Sequence, residues 1–444
     1  MSAALRRPRG AYRRSVRVAA LPVLTALLLS VGCSSVDEET GAGSTGPGVT
    51  SEPCPNAIDK AKGCIYLGAL NDLEGGPFAV IGQAVDAGQT DFWKKVNESG
   101  GIGGKYEVDL ATNTKNTSYD AQKHAAGYKE IEPKILALAL SLGTVQTQAI
   151  LDDMDSDNVV AAAGTFWSGW QFPETDKGLV LESGYSYCTE AVIGLDWLAA
   201  NKSKPTKLAS VGFPGDYGGD YAEGAKRWAD ANGAQVVATI KTAPNQVAGN
   251  QDGPVQQIVS AAPDVVTLAT GPAETAEIIG KAVAAGYKGR FIGAGPTWNG
   301  ALLKTPAAPA LKALYNSTSP FDGWDGASAG IAEAKAAAAG KVPSNWAYIA
   351  GWTISMPIEQ LLETAAEQDK LNRVDIRKLA NSLEVNFDGL APNQVYGKAP
   401  VAKSFTGSIA VPDDAAPMGT KTVEANYKAP TLEKIKYDSP CVMP

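Results

Sequence analysis

The chain has one histidine, His124, in 444 residues, and that scarcity removes much of the chemistry open to a protein of this size. A Ser-His-Asp triad would have to use it, and the polar helix expected over residues 118–131 gives it a surface role instead. The stretch nearest a nucleophile elbow, Gly184-Tyr185-Ser186-Tyr187-Cys188, lacks the closing glycine. No cysteine spacing matches a zinc site. Asp153-Met154-Asp155-Ser156-Asp157-Asn158 echoes a calcium loop but lacks the turn glycine, and Gly164 stands where the bidentate glutamate belongs. It reads as a helix end before a strand. Gly104-Lys105 runs into Tyr106 and makes no phosphate loop. No catalytic residue, metal or cofactor is therefore expected. Basic clusters are missing from the body of the chain as well. The net charge of −8 becomes −14 once the six arginines near the N-terminus are set aside, a sign that repels phosphate backbones and argues against nucleic acid as a partner.

Those six arginines (Arg6, Arg7, Arg9, Arg13, Arg14 and Arg17) precede an apolar run from Val18 to Val31, and no acidic residue appears before Asp37. This is the pattern of an export signal. The run is shorter than the ~20 apolar residues of a membrane span, and Arg13-Arg14 leaves the twin-arginine route open beside the general one. Leu29-Ser30-Val31-Gly32-Cys33 resembles the lipobox of bacterial lipoproteins, differing from it at Ser30. The resemblance implies that residues 1–32 are a signal peptide and that Cys33 is acylated. A body without a second apolar segment would then sit outside the cytoplasm, held to the outer face of the membrane by lipid alone.

Four cysteines remain: Cys54, Cys64, Cys188 and Cys441. In an oxidising compartment they allow three pairings. Cys54 with Cys64 would pin the approach to the first strand, and Cys188 with Cys441 would tie the C-terminal tail to the body. Residues 33–55 are rich in Ser, Thr, Gly and Pro and read as a flexible tether. The roughly 390 residues beyond it exceed what one hydrophobic core normally serves, so two lobes are expected.

Continuous apolar runs at 64–70, 106–111, 135–140, 159–163, 208–213, 236–240, 265–269 and 291–294 read as parallel strands covered on both faces. Amphipathic helices alternate with them. Ile81, Val85, Gly88, Phe92 and Val96 form one helical stripe, ended by the turn Gly100-Gly101-Ile102-Gly103-Gly104. Strict alternation gives an α/β protein with parallel sheets, and ligands in such sheets bind at the carboxyl ends of the strands. The loops placed there are residues 71–77, Ser141-Leu142-Gly143-Thr144, residues 163–170, Gly215-Asp216-Tyr217-Gly218, residues 270–274 and Gly295-Pro296-Thr297-Trp298. Small residues beside hydroxyls at helix starts expose N–H groups suited to a carboxylate.

With Gly75-Gly76-Pro77, Gly82-Gln83, the run Val96-Asn97-Glu98-Ser99-Gly100-Gly101-Ile102-Gly103-Gly104, Asp216-Tyr217-Gly218, Glu223-Gly224 and Pro263-Asp264-Val265-Val266 in place, the chain resembles the branched-chain amino acid-binding family of ABC-transporter solute receptors. The likeness covers most of residues 64–385. It implies the type I periplasmic-binding fold, two Rossmann-like lobes joined by a three-crossover hinge. Lobe 1 would comprise residues 56–184 and 321–389, and lobe 2 residues 185–320 and 390–444. The resemblance also implies a carboxylate cradle at Gly143, Thr144, Ala163, Gly164 and Thr165, with Tyr217 opposite. Loop residues Trp167, Asp216, Gly271, Glu274 and Trp298 complete the candidate set.

Three positions depart from the family pattern. Gly295 stands where amino-acid receptors carry an acid for the ligand's ammonium group, Ile81 replaces an aromatic, and Gly271-Pro272 replaces another. A buried ammonium needs a carboxylate, so an amino-acid ligand would have to use Asp72, Asp216 or Glu274. Trp167, Trp170, Trp298 and Trp324 add aromatic surface that suits flat or sugar-like ligands, although simple packing is the commoner use of tryptophan. The reading is a monomeric, lipid-anchored receptor that hands a small polar organic molecule to an ABC permease. A sensory receptor signalling to a membrane partner is the alternative, and a secreted hydrolase the third.

Overall fold

The computed structural model describes residues 46–397 and 406–443. The expected signal peptide and Cys33 lie outside them. Two seven-stranded sheets organise the chain. The first is built on β2 (Gly63–Asn71), whose side chains are almost all buried. Its N-terminal half is flanked by β1 (Val49–Thr50, antiparallel) and β3 (Tyr106–Asp109), and its C-terminal half by β4 (Thr114–Asn116) and β5 (Ala137–Leu142). Beyond β5 lie β6 (Ala161–Gly164) and β7 (Val180–Leu181), both parallel.

The second sheet has a parallel core of β8 (Lys207–Gly212), β9 (Gln235–Lys241), β10 (Val265–Ala269), β11 (Arg290–Gly293) and β12 (Tyr315–Ser319). After a small hairpin of β13 (Glu384–Val385) and β14 (Gln394–Val395), β15 (Gly407–Pro412) and β16 (Thr420–Tyr427) join it antiparallel beside β12. The chain thus passes between the sheets three times: from β7 to β8, from β12 back to the helices over the first sheet, and from β14 to β15. This is the type I periplasmic-binding architecture. No helix among the described residues is long and apolar enough to cross a membrane.

The expected stripe Ile81, Val85, Gly88, Phe92 and Val96 is the buried face of the Ala79–Glu98 helix. It lies against the Ala347–Glu367 helix at backbone distance. A Cβ on Gly88 would stand 2.1 Å from the Tyr348 carbonyl oxygen, and one on Gly351 2.1 Å from that of Val85. Asn97 explains the turn that follows. Its side-chain amide donates to the Val108 carbonyl (2.9 Å) and accepts from the Val108 N–H (2.8 Å), fastening the helix end to β3 while Gly100 and Gly101 take positive φ.

Both disulfides form as paired from the sequence, Cys54 with Cys64 and Cys188 with Cys441. The second closes a loop of 253 residues. Cross-linking removes loop-closure entropy from the unfolded chain, so Cys441→Ser is expected to cost about 2–4 kcal/mol. Calorimetric unfolding of the oxidised protein checks this, and an unchanged transition would contradict it.

Four expectations need correction. The chain is no free tether over 46–55, because Val49 and Thr50 are strand residues and Cys54 is buried. The chain does not return to the second lobe at 390: β14 pairs with β13, and Tyr396 donates through its hydroxyl to the Glu182 carbonyl (2.7 Å), so the segment through 396 stays with the first. The run at 236–240 is not covered on both faces. β9 is the sheet edge, and only Ile240 in it is buried. His124 is not on the surface. With Tyr128 and Ile131 it forms the buried face of the Ala121–Ile131 helix, where its Nε2 lies 3.0 Å from the Ser141 hydroxyl. Burial lowers its pKa to about 3, leaving a neutral core imidazole. The polar residues around it supply only the helix's outer face.

Candidate ligand-binding cleft

Gly143 follows β5 with φ +95°, and a Cβ there would collide with Gln146 and the Tyr119 ring. The glycine lets the chain turn directly into the Thr144–Gln148 helix. Thr144 and Thr165, at the ends of adjacent strands, meet hydroxyl to hydroxyl at 2.6 Å. Tyr187, from the first crossover, shares a cavity wall with Thr165. From the second lobe, Gly215 (φ +98°) opens the Asp216–Asn232 helix. Asp216 at its start comes close enough to Thr144 for that hydroxyl to hold its carboxyl pKa down, against the rise that burial causes.

These groups adjoin a cavity of about 350 Å³, counted with the solvent at its mouth. Its lining is Phe78, Ile81, Tyr119, Leu142, Gly143, Gly164, Thr165, Tyr187, Tyr217 and Pro296. The walls are aromatic and meet across the cleft: Phe78 packs edge-on to Tyr119 (4.8 Å between centroids) and to Tyr217 of the other lobe (6.2 Å), and Tyr217 tilts against Tyr187 (4.7 Å). The Tyr217 hydroxyl donates to the Thr270 carbonyl in its own lobe (3.1 Å), so the cleft is offered its ring.

Gly143, Gly164, Thr165 and Tyr217 therefore share one cavity, with Thr144 bonded to Thr165 at its side and Asp216 nearby. Ala163 is buried within β6 behind them. The other candidates do not line it. Trp167 is fully buried, and its indole N–H donates to the Val442 carbonyl (2.7 Å). Gly271 precedes the Pro272–Ala284 helix, and Glu274 inside that helix accepts from the Asn245 N–H (2.7 Å). Trp298 stacks on Tyr315 (5.6 Å, 19° between planes) away from this cavity.

The three acids that could replace the missing one at 295 differ in what they have left to give. Asp72 is spent on the N–H groups of Gly76 (3.2 Å) and Phe78 (2.9 Å). Glu274 is held at Asn245. Asp216 is buried with one carboxylate oxygen, Oδ2, lacking a hydrogen-bond partner among the described residues, and desolvation raises its pKa. An unpartnered buried oxygen costs ~1–3 kcal/mol, a cost that a ligand donor at that place would relieve.

Two residues escaped sequence reasoning. Phe78 supplies the first-lobe aromatic that Ile81 does not, and the turn clamped by Asp72 is what aims it. Glu190, in the Tyr187–Asn201 helix, accepts from the Gly295 N–H (2.9 Å) and the Thr318 hydroxyl (2.7 Å). Burial pushes its carboxyl up to about 8, against the pull of those two hydrogen bonds. The available signal was an acid directly against the apolar run Ala191–Leu195, in a helix buried almost all round. The Asp153–Asn158 segment is the end of the Leu151–Asp157 helix, as its reading required. Asp155 there pairs with Arg377 and Lys177, and Asp152 with Lys177.

The fold is similar to that of several solved receptors. A fatty acid ABC transporter substrate-binding protein from Thermomonospora curvata aligns at 24% identity with a TM-score of 0.78, covering 90% of this chain and 97% of that one. A branched-chain amino acid ABC transporter protein from Thermus thermophilus with bound valine aligns at 17% and 0.68, covering 84% and 98%. A solute-binding protein from R. palustris in complex with benzoate aligns at 15% and 0.66, covering 85% and 99%. No curated relative matches the sequence. The family described as "Periplasmic binding protein" matches residues 65–404, more than half of the chain, and to that family this protein belongs.

Proposed function

We propose that this protein is the solute receptor of an ABC importer, anchored by lipid at Cys33 to the outer face of the cytoplasmic membrane. It captures a small polar organic molecule, an amino acid or a related compound, and passes it to the permease. The observation that carries this reading is the facing of Thr165 by Tyr217 over one aromatic-walled cavity, with Thr144 bonded to Thr165 and Asp216 beside it. A ligand there touches both lobes only when they close. That differential contact is what shifts a hinged protein toward its closed state. The hydroxyls and the Gly143 turn suit a carboxylate or other acceptor, and the free oxygen of Asp216 suits an ammonium or hydroxyl donor.

Mass spectrometry of whatever co-purifies with the exported protein identifies the ligand, and calorimetry with that compound tests the site. Removing a hydrogen bond to a charged ligand group costs roughly 1.5–3 kcal/mol, about ten- to a hundred-fold in affinity. Thr165→Val and Asp216→Asn are each expected to weaken binding by that factor. Tyr217→Ala should weaken binding too, but its buried ring makes it a folding variant as well. Full affinity in both the Thr165 and Asp216 variants would mean that the cleft is elsewhere. For the anchor, Cys33→Ala should release the protein to the medium. An unchanged membrane fraction would count against lipidation.

A further inference from the structure

A second cavity lies on the other side of the Gly295-Pro296 turn. It measures about 510 Å³ with the solvent at its mouth. Trp298, Trp324, Trp346 and Phe321 wall it, and Ser408 and Thr420 add hydroxyls. Trp346 leads into the Ala347–Glu367 helix of the first lobe, whereas Trp298 follows β11 of the second, so this chamber too is built by both lobes.

Four observations tie it to the cleft. Gly295 lines the chamber and its neighbour Pro296 lines the cleft. One aromatic wall runs from cleft to chamber: Tyr187 packs on Phe166 (5.7 Å between centroids), and Phe166 on Phe321 (5.9 Å). The turn between the cavities carries no side chain at 295, where a Cβ would stand 3.1 Å from the Trp346 ring. Finally, the Trp346 indole N–H is buried without a hydrogen-bond partner among the described residues. A donor left in that state costs free energy, and an acceptor delivered on a flat ring would satisfy it while the indole faces take the ring.

Building on the receptor reading, we infer that this chamber is the far half of the ligand site. The ligand is elongated: a polar head sits at Thr144, Thr165 and Asp216, and a flat aromatic ring reaches past the turn into the tryptophan chamber.

The test titrates the exported protein, stripped of co-purified ligand, with two probe series. These are ω-phenylalkylamines and ω-phenylalkanoates, each from benzyl to phenylhexyl, followed by calorimetry and tryptophan fluorescence. In the series whose head fits, affinity should rise about fourfold per methylene until the ring enters the chamber, with tryptophan emission changing only for the long members. Gly295→Val, which fills the space beside Trp346, and Trp346→Ala should each erase the gain with length while leaving the shortest probe unchanged. Thr165→Val and Asp216→Asn should weaken every member alike. Affinity flat with length, a gain that survives Gly295→Val, or binding of the co-purified compound but of no probe would overturn the chamber and leave the cleft standing. A gain with length that ignores Thr165→Val and Asp216→Asn would instead keep the chamber as a site and remove the cleft as the head's place.

Discussion

Gly88→Val is expected to disrupt the first lobe outright. The Ala79–Glu98 and Ala347–Glu367 helices meet through Gly88 and Gly351, each facing a carbonyl of the partner helix at a distance no side chain tolerates. Both obstructing atoms are backbone, so no rotamer change relieves the clash. The helices would have to separate and expose part of a seam that includes Phe92, Trp352 and Val85. Forced overpacking of a core costs ~1–3 kcal/mol, and a rigid backbone obstacle places this variant at or beyond the upper end. Gly253→Ala is the control, since nothing among the described residues lies within 4 Å of a Cβ there and alanine favours a helix by up to ~1 kcal/mol. Thermal unfolding should show the first variant sharply lowered or insoluble and the second unchanged or raised. A near-native midpoint for Gly88→Val would mean that the two helices do not pack through their glycines.

The folded protein should lose stability as pH rises through the neutral range. Burial raises Glu190 to about 8 and Asp176 and Asp220 to about 7. Each is held protonated in the fold at a pH where the unfolded chain has already ionised it. A raised carboxyl contributes stability that is complete below its unfolded pKa near 4 and is lost as pH climbs through the folded value. His124, lowered to about 3, acts in the opposite sense, but only below its unfolded pKa of 6.5. From about pH 6.5 to 9 the carboxyls therefore act alone. At ~1.4 kcal/mol per pKa unit, their combined effect is on the order of several kcal/mol. The unfolding midpoint should fall across that window, and Glu190→Gln, which cannot ionise, should flatten the slope. A midpoint that rises or stays level would show that these carboxyls are solvated.

The architecture was legible because its signals are strong and local. A buried parallel strand such as β5 is a continuous apolar run, and the helix before the double-glycine turn carries an unbroken stripe. The sequence also placed Thr144 and Thr165 on adjacent strand ends, which the fold brings into contact. What it could not give were properties that exist only once the lobes meet. Trp167 and Trp298 read as cleft aromatics by position after a strand, yet their rings face the tail and Tyr315. Asp72, Asp216 and Glu274 looked equivalent until their partners were known. Glu190 belongs to neither loop nor strand end, and its bond to Gly295 spans 105 residues of chain. The position of His124 is hidden in the sequence because a helix rich in polar residues still turns His124, Tyr128 and Ile131 inward.

The threading of the chain between the two sheets fixes when either can be finished. The Ala347–Glu367 helix that covers the first sheet is encoded after the whole parallel core of the second, and β15 and β16 complete the second only after that helix. A chain emerging N-terminus first thus carries both lobes incomplete until Tyr396 has appeared, and the second until Tyr427 has. Pairing across such separations is slow and leaves strand edges bare meanwhile. A product truncated just before Thr420 would hold β15 beside β12 with its outer edge unpaired, an edge on which another chain could add a strand.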